Sequence, residues 1–162
     1  MISLLMMKNF PDLPADERKG KLSFNNTSGI DLPVDESDLH RLLQAIEREE
    51  KISFRHVELV YIDEDEITEI NRKHLDKDYI TDTISFRYDD DNNQAIEGTL
   101  YGCAPRITEQ SKEFDADPQN EFYRIFIHGL LHLAGYNDKT EEEKKTMTDL
   151  ENRYLSVLNF PL

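Results

Sequence analysis

The chain of 162 residues carries one cysteine, Cys103, so no internal disulfide can staple it and no cysteine-rich zinc site can form. That usage fits a reducing compartment. Six glycines and six prolines are too few for a low-complexity or linker-dominated chain. Positive charge is scarce, with 19 lysines and arginines against 34 acids and a formal net charge of −15. Such a surface argues against non-specific attachment to nucleic acid or to anionic membranes. Any nucleic-acid partner would need a local cluster of cations or bridging metal ions. Long hydrophobic runs are missing too. The opening "MISLLMMKNF" is apolar for a few residues only, lacks a basic segment and a small-residue cleavage site, and is far shorter than a membrane span. We expect residues 1–20 to be a peripheral lead-in, residues 21–162 to form one domain, and the protein to be cytoplasmic with no membrane partner.

What is present suffices for one core: hydrophobic residues make up 38% of a chain of single-domain length. No repeat at solenoid periods is visible. "KLSFNN" alternates as a first strand. Leu39, Leu42, Leu43 and Ile46 recur at helical spacing, and "ISFRHVELVYID" alternates as a strand. "EDEITEINRKHL" reads as a short helix. "TDTISFRY" and "AIEGTLYGCA" read as a hairpin across the acidic loop at residues 89–94, with Gly98 and Gly102 as sites for bulges.

Three helices close the chain. The first starts near Pro105, with Ile107 and Phe114 at heptad spacing on one face. The second is capped by Asp117 and stopped by Gly135. The third opens on a capping box of Thr140 and Glu143, with Met147, Leu150, Tyr154, Val157 and Leu158 as its apolar stripe. The expected architecture is a compact α/β (α+β) domain, a small mixed sheet of about four strands covered by about five helices.

One stretch does not fit a purely structural reading. "HGLLHLAGYND", residues 128–138, sets two histidines four apart in an apolar helix. Residues i and i+4 share a helix face, so His128 and His132 can aim two imidazoles at one ion. Phe122, Ile125, Phe126, Leu130 and Leu133 would hold the helix rigid from the opposite side. After the stop at Gly135 the chain can return Asp138 toward both rings. Two imidazoles and one carboxylate leave an open position, the layout of catalytic zinc, where a bound water becomes acidic enough to act near neutral pH. A zinc protease of the H-E-x-x-H kind needs glutamate between the histidines as general base. Here Gly129 stands there, which leaves space for a substrate or water, or serves a tight helix contact.

The same stretch resembles the signature of the YbeY family of metal-dependent endoribonucleases, commonly H-G-x-L-H-L-x-G-Y-D-H. "INRKHLDKDYITDTISF", residues 70–86, is similar to that family's L-N-x-x-Y-R-x-x-D-x-P-T-D-V-L-S-F segment, and "EGTLYGCAPRITEQSKEF" agrees in position and character. The likeness spans about residues 50–158. It implies a mixed-sheet α/β fold and a Zn²⁺-type ion on three protein ligands. It also implies single-strand-specific cleavage of rRNA precursors, chiefly at the 3′ end of small-subunit rRNA, and ribosome quality control with the ribosome or its proteins as partners.

Departures from the pattern mark a divergent branch. The third family histidine falls on Asp138 and the preceding aspartate on Asn137. The family's arginine falls on Leu75, its proline on Ile80, and Thr99 replaces an aspartate. A carboxylate ligand reduces the ion's net positive charge and makes bound water less acidic. Arg124, four residues before His128, and Arg87, at the end of the T-D-T-I-S-F strand, are the candidate replacement phosphate contacts, each read equally as an ordinary surface or salt-bridged arginine. His74 and Lys73 are expected to be solvated, Asp82 and Ser85 to satisfy backbone groups, and Cys103 to fill the core.

The leading expectation is an endoribonuclease that uses one divalent ion, Zn²⁺ or alternatively Ni²⁺, Co²⁺ or Fe²⁺, on His128, His132 and Asp138. Water on that ion would be the nucleophile and arginines would offset charge on the phosphorane. Two other readings stand beside it: a metallohydrolase of another substrate such as a peptide, and a non-enzymatic ribosome-associated factor braced by the ion.

Overall fold

The computed structural model describes residues 2–6, 20–89 and 95–159. Residues 7–19 of the expected lead-in and residues 90–94 of the expected acidic loop lie outside the described residues. The elements run β1 (Ile2–Met6), β2 (Leu22–Asn26), α1 (Glu36–Glu50), β3 (Ser53–Ile62), α2 (Glu64–Leu75), β4 (Thr83–Arg87), β5 (Ala95–Cys103), α3 (Ala104–Glu113), α4 (Pro118–Leu133) and α5 (Glu141–Asn159).

The strands form one sheet in the order β1-β4-β5-β3-β2. β4 and β5 are the antiparallel hairpin, while the other neighbours pair in parallel, so the sheet is mixed. Four of its strands are those that alternation predicts. The fifth, β1, lies within the expected lead-in and adds to the β4 edge; its run of apolar residues has no period to announce it.

Side chains alternate across this sheet. Phe54, Val57, Leu59 and Tyr61 of β3 and Ile96 and Leu100 of β5 enter the larger core with α1, α4 and α5. Ile62, Ile84, Phe86 and Cys103 enter a smaller core on the other face, closed by Ile67 of α2. The apolar alternation of β3 jumps from Phe54 to Val57, and its register against β5 shifts between Phe54 and His56. That is where the extra residue sits. Gly98 and Gly102, by contrast, keep regular register and mark no bulge. A Cβ on Gly98 would stand 2.5 Å from the Phe86 carbonyl oxygen and 2.8 Å from Leu133 Cδ2, and one on Gly102 would stand 2.8 Å from the Tyr61 ring. These glycines let backbone, helix and ring approach closely.

α4 runs through the middle of the larger core, packed against α1, α3, α5 and the β4–β5 hairpin. Phe122, Ile127, Leu130, Leu131 and Leu133 are fully buried, which at about 1.5–3 kcal/mol per large apolar side chain makes this helix the main source of burial. Asp117 stands at its N-cap with Pro118 in the first turn, but the Asp117 side chain makes no capping bond. Its backbone carbonyl instead accepts from Glu121 N at 3.0 Å. The α5 capping box forms as expected, Glu143 Oε1 accepting from Thr140 N at 2.9 Å and Thr140 Oγ1 from Glu143 N at 3.1 Å. On α3, Ile107 is buried but Phe114 is 67% exposed. The helix ends at Glu113, so Phe114 is its C-cap, one position past the last helical residue, and its ring stays outside both cores. No helix among the described residues is long and apolar enough to cross a membrane.

Candidate metal centre

The C-terminal half of α4 and the turn after it build the site. His128 and His132 share a face, and their Nε2 atoms lie 3.0 Å apart. Gly135 takes φ +109°, a conformation that ends the helix at little cost only for glycine. The Tyr136 amide then donates back to the Leu131 carbonyl at 3.0 Å, and its hydroxyl donates to Glu50 Oε1 on α1 at 2.5 Å. So pinned, the turn delivers Asp138 Oδ2 to 3.2 Å from His128 Nε2 and 3.5 Å from His132 Nε2. The three atoms form a nearly equilateral triangle. Ligands about 2.0–2.1 Å from a tetrahedral zinc lie about 3.3–3.4 Å from one another, so the donor set fits such an ion, and this trio is the metal-capable group among the described residues.

A second carboxylate holds the first ring. Glu151 of α5 accepts from His128 Nδ1 at 2.5 Å, while its other oxygen pairs with Arg124 at 3.0 Å. This carboxylate–histidine arrangement fixes the tautomer and makes the free ring nitrogen a better ligand. Burial pulls the His128 imidazole toward neutrality, but hydrogen bonds to Asp138 and Glu151, with their charges, outweigh it and raise its pKa. Burial, then the neighbouring His128, hold His132 below the usual range. The hydrogen bond from His128 is the main cause holding the Asp138 carboxyl at about 2. Both carboxylates thus favour a positive charge at His128. A bound cation would supply that charge.

An open cavity of about 1080 Å³ lies over the triangle. Its lining includes four cations, Lys77, Arg124, Lys139 and Lys144, against three carboxylates, Glu121, Asp138 and Glu151. In a chain of net charge −15 this lining is close to balanced, with Arg124 paired to Glu151 and Lys144 to Glu141 at 3.5 Å. Arg124 is fixed there by Glu151 and by Asn152 Oδ1 at 2.7 Å. Arg87 is not among the lining residues. It grips Asp89 through two bonds of 2.8 and 2.9 Å and donates to the Leu133 carbonyl at 3.0 Å, tying the end of β4 to the end of α4.

Gly129 turns away from the cavity. A Cβ there would stand 3.0 Å from both Leu100 methyl groups, so close helix–sheet packing, not room for a substrate, accounts for it. Cys103 is fully buried, and desolvation pushes its thiol up to about 11. His74 and Lys73 are exposed. Asp82 is buried with Gln110 Nε2 at 3.4 Å, whereas Ser85 Oγ is buried without a partner among the described residues. Ile125 is buried in the core but also lines the cavity with His128 and His132, so it lies beside the histidine face and not opposite it.

A profile of the Endoribonuclease YbeY family matches residues 23–159. The chain belongs to the YbeY family. Relatives described as Endoribonuclease YbeY include one from Chlorobium phaeobacteroides, 37% identical over 83% of this chain and 94% of its own length. Another, from Chlorobium luteolum, is 36% identical over 85% of this chain and 98% of its own length. The Ureaplasma urealyticum relative is 42% identical over 65% of this chain and 68% of its own length. Among solved structures, a Thermotoga maritima protein determined in solution superposes with a TM-score of 0.57 at 25% identity, covering 84% of this chain and 87% of that one.

Set against the YbeY pattern, Leu75 lines the cavity where an arginine is usual, and Lys77, two residues on, lines it too. Thr99 is buried, its Oγ1 accepting from Tyr88 at 2.9 Å. Sequence reasoning missed Glu151, Glu50 and the three lysines. Glu151 left a trace: it is an acid inside the apolar stripe of α5, between Met147 and Tyr154. The lysines left none, because exposed lysines are ordinary on any helix or loop.

Proposed function

We propose that this protein is a metal-dependent endoribonuclease acting on single-stranded RNA, in the maturation of rRNA precursors at the small-subunit 3′ end and in ribosome quality control, working in the cytoplasm with the ribosome or its proteins as partners. The observation that carries the reading is the triangle of His128 Nε2, His132 Nε2 and Asp138 Oδ2, with edges of 3.0, 3.2 and 3.5 Å, at the floor of a cavity that gathers four cations. Zn²⁺ is the ion of choice for two imidazoles and a carboxylate, with Ni²⁺, Co²⁺ or Fe²⁺ accepted by the same donors. A divalent ion held there would supply Lewis acidity toward a phosphate oxygen and toward water.

The chain's own residues do the rest. Glu151 orients His128 and at the same time anchors Arg124, so the ligand and the phosphate contact are set by one carboxylate. Arg124, with Lys77, Lys139 and Lys144, neutralises the backbone of the bound strand and the charge that develops on phosphorus. Arg87, bound to Asp89 and to the end of α4, serves as a brace. An ion fixed inside a cavity requires a flexible backbone to reach it, which favours single strands over duplex. Peptide hydrolysis lacks its base, because the backbone at Gly129 faces Leu100 and not the cavity.

The test is cleavage of single-stranded RNA, duplex RNA and casein by the Zn²⁺-loaded protein. Internal cleavage of the single strand is expected, stopped by chelation and reduced more than a hundredfold in His132→Ala and in Asp138→Ala. Casein cleavage lost in His132→Ala would overturn the RNA reading. So would an inactive parent that loses only thermal stability in Asp138→Ala, since the ion would then be a brace.

A further inference from the structure

Phe114 has no part in the core, yet it is 67% exposed in a chain where a third of all residues are charged. It lines the same cavity as the His128, His132 and Asp138 triangle. Its backbone is held firmly although its ring is not packed. Phe114 N donates to the Gln110 carbonyl at 3.1 Å, Asp115 N to that of Lys112 at 3.2 Å, and Ala116 N to that of Ser111 at 2.8 Å. Asp115 takes the left-handed conformation at φ 50°, which closes the end of α3 and turns the chain toward α4. Gln110, one turn before Phe114, lines the cavity as well and is tied to Glu121 of α4 at 3.0 Å. An aromatic ring is thus presented on a fixed corner, inside a cavity that also holds cations and a metal-capable trio.

Resting on the RNA reading above, we propose that Phe114 is a base-stacking platform: it receives one nucleobase of the bound single strand and so positions the neighbouring phosphate over the triangle. Each component has its place in the chemistry of single-stranded nucleic acid. Cations track the backbone, and an exposed aromatic takes a base face without regard to sequence. Duplex RNA keeps its bases stacked on one another and has none to offer. The ring is therefore a second source of single-strand preference, independent of the depth of the ion. Phe114 acts through base position and does not touch the reacting atoms, so it is a positioning residue.

The chain contains no tryptophan, so Phe114→Trp installs a sole indole at the proposed contact, and exposure of the parent ring keeps the substitution harmless to the fold. The Zn²⁺-loaded parent, Phe114→Trp, Phe114→Tyr and Phe114→Ala are titrated with a short 2′-O-methyl oligoribonucleotide and with an abasic oligonucleotide of equal length. Quenching of the indole by the base-bearing strand is expected. Phe114→Ala should bind that strand about ten- to a hundredfold more weakly, Phe114→Tyr should restore binding, and the abasic strand should bind parent and Phe114→Ala alike. The proposal is overturned if the indole is unchanged and Phe114→Ala binds as the parent does, an outcome that leaves the RNA reading standing. It is also overturned if Phe114→Ala weakens the abasic strand equally, because the ring would then shape the cavity instead of meeting a base. A parent that neither binds nor cleaves single-stranded RNA overturns both readings.

Discussion

At the scale of single residues, Glu151 shows how much one carboxylate can organise. It is buried, and its two oxygens reach His128 Nδ1 and Arg124. Removing its charge affects both the ring that would hold the ion and the guanidinium placed for phosphate. Glu151→Gln keeps the volume and an acceptor oxygen but gives up the anion. We expect zinc affinity to fall about tenfold or more, in line with the usual loss on changing a partner behind a ligating histidine. Competition with a chromophoric chelator measures this, and circular dichroism checks that the helices persist. Unchanged affinity would mean that His128 is oriented by α4 packing alone. The ligands themselves were legible in the sequence, because i, i+4 spacing and a helix stop are local features. Glu151 lies 23 residues from His128, and such a partner becomes visible only when α5 is laid against α4.

At the scale of elements, the sequence announced every helix and four strands through their periodicity. Misreadings arose where packing, not local preference, selects the residue. Gly98 and Gly102 resemble bulge sites, yet they exist because Leu133 and Tyr61 press on the sheet. Phe114 carries the heptad spacing of a core residue, but its helix stops one position too soon. Gly129 was left open and not misread, but it shows the same dependence on packing. Its identity was open between room for a ligand and contact with a neighbour, and Leu100 at 3.0 Å decides for contact. Consequently the substitution that would create an H-E-x-x-H motif cannot create a protease. Gly129→Glu drives a charged side chain between α4 and β5, against the Leu100 methyl groups. Overpacking costs about 1–3 kcal/mol and an unpaired buried carboxylate adds several more, so a loss of at least about 3 kcal/mol is expected in urea unfolding. A variant of parental stability that hydrolyses casein would restore the peptide reading.

At the scale of the whole molecule, the difficulty is an anionic protein that must hold an anionic polymer. The net charge of −15 repels RNA at long range, and the four cations of the cavity attract it only at close quarters. The two effects depend on salt in opposite directions. Each phosphate neutralised on a single strand contributes about −0.7 to the slope of log K against log salt. Four cations therefore set a limit near −3, and Arg124 is already paired with Glu151. Screening of the surrounding acids moves the slope further toward zero. An apparent slope of about −2 or shallower is expected for a short single-stranded oligoribonucleotide, measured by fluorescence anisotropy across a potassium chloride series. Binding that resists salt in this way would draw its strength from the ion and from base contacts. A slope steeper than about −5 would require more cations than this cavity contains, and would move the RNA path to another surface of the protein.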